Sequence, residues 1–260
     1  MKRELSDRVA IVTGGGRAIG KAIALALAGS GAHVVVCGLD EGELLTAAGE
    51  IRLIGVRSLS VVCDVSREDQ VEKLCKSTLE EFGRINILVN NAGVAGPTMP
   101  AVKVSRSEWD SVLAVNLTGA FLCSKAVLPT MIAQKSGKIV NIASIAGKLA
   151  YPLRCPYAVS KWGLIGLTRT LAQEFGEQNV QINAVCPGPV RGERMQKIIA
   201  TRAQELNQTA EEVERSYVQK TALRRLVEAE DVAAMVCFLA SDQANNITGE
   251  ALDVTAGYDL

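Results

Sequence analysis

The chain has 260 residues, 28 basic and 28 acidic side chains, a single His and a formal net charge of zero. Hydrophobic residues make up 48% and charged residues 22%, which implies a packed core and excludes a disordered chain. Balanced charge with no basic block argues against a nucleic-acid or anionic-membrane binder, and no apolar run approaches the roughly 20 residues of a membrane helix.

Residues 1–7 lack the apolar stretch of a signal peptide, so a cytoplasmic location is expected. A β-branched run predicts a buried parallel strand over residues 9–13, followed by the turn Thr13-Gly14-Gly15-Gly16-Arg17-Ala18-Ile19-Gly20 and an apolar helix over 18–28. Further strands are predicted over 34–37, 59–63, 87–89, 139–143, 181–185 and 251–254. Helices are predicted over 41–53, 67–81, 109–133, 159–175 and 228–240. Ser66 ahead of Arg67-Glu68-Asp69 reads as a helix start, and Ser105-x-x-Glu108 and Thr209-x-x-Glu212 read as capping boxes. This alternation predicts an α/β, doubly wound, Rossmann-like fold: a seven-stranded parallel sheet with helices on both faces, in one domain over 1–260. Residues 188–220 interrupt the rhythm after a strand's C-terminal end, where ligands bind in such sheets, and are expected to fold as one or two short helices forming a substrate lid; a decorative insertion is the other reading.

Seven cysteines, with no Cys-x-x-Cys pair, read as reduced core thiols. With a single His a zinc site is not expected, and His33 reads as structural. The glycines after the first strand allow close approach of a phosphate to the backbone, and the following helix N-terminus favours an anion. Strict Gly-x-Gly-x-x-Gly is not met, because Ile19 takes the last position. In Tyr157-x-x-x-Lys161 the two side chains share a helix face, where the cation lowers the phenol pKa and makes Tyr157 a usable proton donor or acceptor. Ser144 ends a strand 13 residues earlier and offers a hydroxyl to a substrate oxygen. Asn90, Asn91 and Gly93 end another strand, and Asn116 stands alone in an apolar helical context, either at a helix bend or in a site.

Taken in order, Thr13-Gly14 to Gly20, Cys63-Asp64-Val65, Asn90-Asn91-Ala92-Gly93, Asn116, Ser144, Tyr157-x-x-x-Lys161 and Pro187-Gly188 resemble the short-chain dehydrogenase/reductases of roughly 250 residues, over essentially the whole chain. The resemblance implies an NAD(P)-dependent oxidoreductase that interconverts a secondary alcohol and a ketone. It implies that Gly14, Ile19 and Gly20 hold the pyrophosphate, that Asp64 and Val65 flank the adenine, and that Asn90 and Gly93 line the adenosine side. Tyr157 exchanges the proton, Lys161 holds the nicotinamide ribose and depresses the Tyr157 pKa, Ser144 orients the substrate oxygen, and Asn116 helps position a water that connects Lys161 to solvent. Pro187, Gly188 and Val190 fall on the cofactor side of the lid. A homotetramer is also implied.

Three departures from the family pattern stand out. Ala18 replaces the middle glycine of the turn. The end of the second strand, Gly38-Leu39-Asp40, has neither the acid that marks NAD users nor the base at Leu39 that marks NADP users; Asp40 would repel a 2′-phosphate and Arg17 would attract one, leaving a slight lean to NAD. Gly192 stands where Thr is common. The substrate pocket is expected among residues 144–153, Arg154 and 187–195. Arg191 and Arg194 suit an anionic substrate, against the alternative of surface salt bridges. Cys155 is expected to be a spectator. The reading leans to a catabolic alcohol or polyol dehydrogenase; a 3-oxoacyl-type carbonyl reductase using NADPH and a non-catalytic dinucleotide sensor are the alternatives.

Overall fold

The computed structural model describes residues 4–259, so residues 1–3 of the expected leaderless N-terminus and the terminal Leu260 lie outside the described residues. Among the described residues, seven parallel strands form one sheet: β1 (Val9–Thr13), β2 (His33–Gly38), β3 (Ser58–Val62), β4 (Ile87–Asn90), β5 (Gly137–Ile142), β6 (Val180–Pro187) and β7 (Ala251–Val254), in the order β3-β2-β1-β4-β5-β6-β7. The winding direction reverses between β1 and β4, which opens a crevice at the C-terminal ends of those two strands.

Nine α-helices among the same residues connect the strands and cover the sheet: α1 (Ala18–Gly29), α2 (Glu41–Leu53), α3 (Glu68–Phe82), α4 (Arg106–Leu113), α5 (Gly119–Gln134), α6 (Cys155–Phe175), α7 (Glu193–Leu206), α8 (Ala210–Gln219) and α9 (Ala229–Ala240). Alternate residues of each strand enter opposite layers. Val34 and Val36 pack with Ile23, Leu44 and Val236 of α1, α2 and α9. Val35 and Cys37 pack with Leu74, Val127 and Leu171 of α3, α5 and α6. Both faces of the central strands are thus dry, which explains why they read as unbroken apolar runs rather than alternating ones.

Four local expectations need correction. Ser66 does not cap α3: its hydroxyl donates to Asp64 Oδ1 at 2.7 Å, and the position before the helix is Arg67, whose side chain makes no capping bond. The helix carrying Tyr157 begins at Cys155 rather than 159, with Pro156 in its first turn, where a missing N–H costs nothing. The helix expected over 109–133 runs from Arg106 to Gln134 but widens into a π turn at Ala114–Thr118, around Asn116. Finally, that 29-residue helical span is long and apolar enough, by length and composition, to cross a membrane. Here 44% of its most apolar window is buried, with Cys123, Val127 and Met131 in the core.

The capping boxes at Ser105/Glu108 and Thr209/Glu212 form as expected. His33 stacks on Phe82 and accepts the Arg57 backbone N–H, a structural use. All seven cysteines are free thiols. The excursion after β6 folds as the two helices α7 and α8, whose Met195, Ile199, Val213 and Tyr217 pack on Ile145 and Tyr258 in a cluster of their own.

Candidate active site

The turn between β1 and α1 lies at the crevice. Gly14 has φ +62°, and a Cβ on Gly20 would collide with the Gly14 carbonyl oxygen, so helix and turn touch backbone to backbone. A Cβ on Gly15 would lie 2.8 Å from Val12 O. No side chain caps α1 and no acid occupies its first turn, so its leading N–H groups and positive dipole end face an anion site without a competing carboxylate. This turn fits the pyrophosphate of a dinucleotide. Ala18 holds φ +45° within it, a left-handed conformation that a glycine would adopt without strain.

Asn91, to which the sequence assigns no role, fixes the turn from the side. Its Nδ2 donates to Thr13 O at 2.9 Å and Gly14 O at 3.2 Å. Thr13 Oγ1 accepts the Asn91 and Ala92 backbone N–H groups, which staples β1 to the end of β4. Asn90 points the other way. Its Nδ2 donates to Asn141 Oδ1 and Ser124 Oγ in the layer beneath the sheet, so its side chain does not line the adenosine side. The alternation of a strand explains the split: neighbouring residues face opposite sides.

Across the crevice, α6 presents Tyr157 and Lys161. The Lys161 ammonium is 5.8 Å from the Tyr157 ring centroid and donates to Ile142 O at 2.7 Å, which leaves two protons for other acceptors. Ser144, just past β5, accepts the Ala146 N–H and stands beside the Tyr157 phenol, whose pKa it lowers. Burial pushes the Tyr157 phenol up, but Lys161, Arg194, Ser144 and Arg154 outweigh it and hold the pKa below that of an ordinary phenol. Burial pushes the Lys161 ammonium down, against the pull of Tyr157. A phenol so placed can give or take a proton at an oxygen that Ser144 also touches.

Asn116 sits in the π turn, buried, with Oδ1 accepting Val94 N–H and Nδ2 donating to Val94 O and Ser160 Oγ. Both amide protons are therefore given to protein acceptors. The side chain thereby tethers the loop after β4 to the helix of Tyr157.

The two arginines expected in the lid separate. Arg191 pairs with Glu228 at 2.9 Å on the surface, as the salt-bridge alternative had it. Arg194 lies 5.9 Å from the Tyr157 ring and donates to Gly93 O. Arg154, named from sequence only as lining, comes closer, at 4.9 Å from that ring centroid.

The family model described as enoyl-(acyl carrier protein) reductase matches residues 14–259. A 3-oxoacyl-[acyl-carrier-protein] reductase of Synechocystis sp. is 41% identical over 258 residues, covering 97% of each chain. Together with the ordered crevice residues, this decides the family. The chain is a short-chain dehydrogenase/reductase. Among solved structures, NAD+-bound xylitol dehydrogenase superposes with a TM-score of 0.95 at 33% identity, covering 98% of this chain and 100% of its own. A point variant of actinorhodin polyketide ketoreductase, solved with NADPH, superposes with a TM-score of 0.94 at 34% identity, covering 100% of this chain and 99% of its own.

The short-chain dehydrogenase frame places the remaining expected residues. Asp64 Oδ1 is bonded by Ser66 in a turn after β3, and Val65 packs against Gly119 of α5. Leu39 is exposed at the end of β2, and Asp40 is spent as the cap of α2, accepting the Glu43 N–H at 2.9 Å. Gly188 bonds Val254 O, and a Cβ there would lie 2.9 Å from Thr255 Cα. Val190 bridges to Val227 beneath the excursion. Gly192, where Thr was expected, has φ +143° and ψ 176°, a conformation essentially restricted to glycine. The substitution and the local backbone go together.

Proposed function

We propose that this oxidoreductase reduces the ketone of a 3-oxoacyl compound to the secondary alcohol and uses NADP as its nucleotide. The observation that carries the reading is Tyr157, which has three cations around its ring and Ser144 beside it. An acidified phenol is suited to protonate a ketone oxygen as the carbon is reduced. The nicotinamide, when bound, supplies the hydride. Lys161 would hold the ribose with its two remaining protons, and Gly14, Ile19, Gly20 and Gly93 would border the nucleotide.

The lean to NAD and to polyol oxidation is replaced. No carboxylate stands at Gly38 or Leu39 to accept the ribose hydroxyls, and Asp40 is committed to its cap. The Arg17 guanidinium is 76% exposed beside the cradle and holds Glu43 only at 3.5 Å, so it is available for a 2′-phosphate. The name of the Synechocystis relative supports the 3-oxoacyl class. Polyol oxidation with NAD remains as a second reading, favoured by the superposition on xylitol dehydrogenase. The helices α7 and α8 would close over the substrate, and exposed Phe121, Val159 and Trp162 on α5 and α6 would meet neighbouring subunits in a homotetramer.

Nicotinamide absorbance tests the reading, with the acetoacetyl thioester of N-acetylcysteamine offered alongside NADPH or NADH. Turnover favouring NADPH is expected. Turnover of xylitol with NAD, and none of the thioester with either nucleotide, would overturn it.

A further inference from the structure

Arg154 is one of the largest fully buried side chains in the protein, with only 2% of its surface exposed. A guanidinium has five N–H donors. Here Nη2 donates to Ala95 O at 2.8 Å, while Nε and Nη1 have no partner. No carboxylate pairs with it among the described residues. A buried cation normally has a counter-charge, because desolvation without one is expensive. What Arg154 does have nearby is the reacting phenol, 4.9 Å from its guanidinium carbon to the Tyr157 ring centroid. Arg194, whose hydrogen bond goes to a backbone carbonyl, approaches the same ring to 5.9 Å. Two guanidiniums therefore converge beside the proton donor, and neither has an acid to balance it among the described residues.

We propose that Arg154 and Arg194 form a carboxylate subsite next to Tyr157, so that the preferred substrate is a free 3-oxo acid anion rather than a neutral ketone or thioester. The inference rests on the carbonyl-reductase reading above and narrows its substrate. In a 3-oxo acid one methylene separates the ketone from the carboxylate. With the ketone oxygen at Tyr157 and Ser144, the carboxylate would lie toward Arg154, whose unused Nε and Nη1 are covered in this structure and, once uncovered, form a fork that matches two carboxylate oxygens. Arg194, on the first turn of α7, would bring the excursion onto the bound anion. Arg191 has no part in this, because Glu228 already occupies it. A thioester offers only a neutral carbonyl and would leave the charge of Arg154 unbalanced.

The probes are acetoacetate, its methyl ester and the N-acetylcysteamine thioester, compared by kcat/KM. Wild-type protein should prefer acetoacetate. Arg154→Gln should lower the ratio of kcat/KM for acetoacetate over methyl acetoacetate by about a hundredfold and Arg194→Gln by about tenfold, beyond any loss common to both substrates from the changed charge around Tyr157. Arg154→Lys, which keeps the charge without the fork, should recover part of the preference. Equal losses on acid and ester, or a wild-type preference for ester or thioester, would overturn the subsite while leaving the reductase reading intact. If none of the three is reduced, the reductase reading fails, and calorimetry with malonate decides the subsite alone. Malonate binding that weakens about tenfold in Arg194→Gln, a substitution at an exposed position, supports it; no malonate binding to the wild type, or unchanged binding in the variant, overturns it.

Discussion

Asn91 and Gly14 are joined across the crevice: the side-chain amide after β4 donates to the carbonyl of the phosphate turn at 3.2 Å, and to its neighbour Thr13 at 2.9 Å. The shape of the turn is thus set as much by the fourth strand as by its own glycines. Asn91→Leu removes both donors and should cost about 1–3 kcal/mol of stability. It should also raise the KM for the nucleotide more than it lowers kcat. Thermal melts and nucleotide titrations measure the two effects; a variant with wild-type nucleotide affinity would show that the turn holds itself.

Tyr157→Phe removes the proton and keeps the ring. The oxidoreductase rate should fall by about a hundredfold to ten-thousandfold, with nucleotide affinity little changed. In the wild type the neighbouring cations hold the phenol below its ordinary value. Reduction needs the protonated form, so its kcat/KM should fall as pH rises through that pKa, while oxidation, which needs the tyrosinate, should rise over the same range. Replacing Lys161 with Met should move both limbs upward. Coincident, unmoved limbs would assign the proton to another group.

Ala18 keeps a left-handed φ of +45° against the preference of its Cβ. Ala18→Gly relieves that strain, and the added freedom of the unfolded chain offsets part of the gain. Stability should rise by up to about 1 kcal/mol, and nucleotide affinity should hold or tighten. A clear loss in the melting midpoint would mean that the methyl group makes a contact worth more than the strain.

Alkaline pH should unfold the protein through its thiols. Burial raises Cys75 to about 12 and Cys186 to about 11, and Cys123 and Cys237 are raised for the same reason. Cys37 is raised first by its hydrogen bond with Cys63 and then by burial. These groups stay protonated in the fold while the unfolded chain loses its protons near pH 9. The unfolded state therefore binds fewer protons, and stability falls by about 1.4 kcal/mol per thiol per pH unit from 9 up to the folded values. Lys138, depressed by burial to about 8, acts in the opposite sense between 8 and its ordinary value of 10.5, as do the lowered Cys63, Tyr157 and Lys161, so the net slope is shallower than the thiols alone would give. Denaturant midpoints from pH 8 to 11 should fall above 9, and substituting Cys75 and Cys186 by Ala should flatten the slope.

The sheet was legible because its strands are apolar on both faces, and the order of Gly, Asn, Ser, Tyr and Lys motifs located the crevice. What escaped depends on direction rather than composition. Asn90 and Asn91 are identical letters, and only the pleat decides that one enters the core and the other shapes the turn. Arg154 and Arg191 look equally exposed in sequence; burial against Tyr151 and Tyr157 separates the first, and Glu228, 37 residues away, claims the second. The π turn at Asn116 leaves no compositional mark, since Val115 and Leu117 suit an ordinary helix.

That wide turn has a consequence for how such a chain can change. A π turn holds one residue more than the α-helix around it, so every side chain downstream is rotated by about 100° relative to an uninterrupted helix. Deleting a single residue between 114 and 118 would close the wide turn into an ordinary one and leave Cys123, Val127 and Met131 facing the core, while loss of Asn116 itself would free Val94 from its tether. What retains the extra residue is therefore not the core beyond it but the amide of Asn116, which only the widened turn presents to Val94 and Ser160.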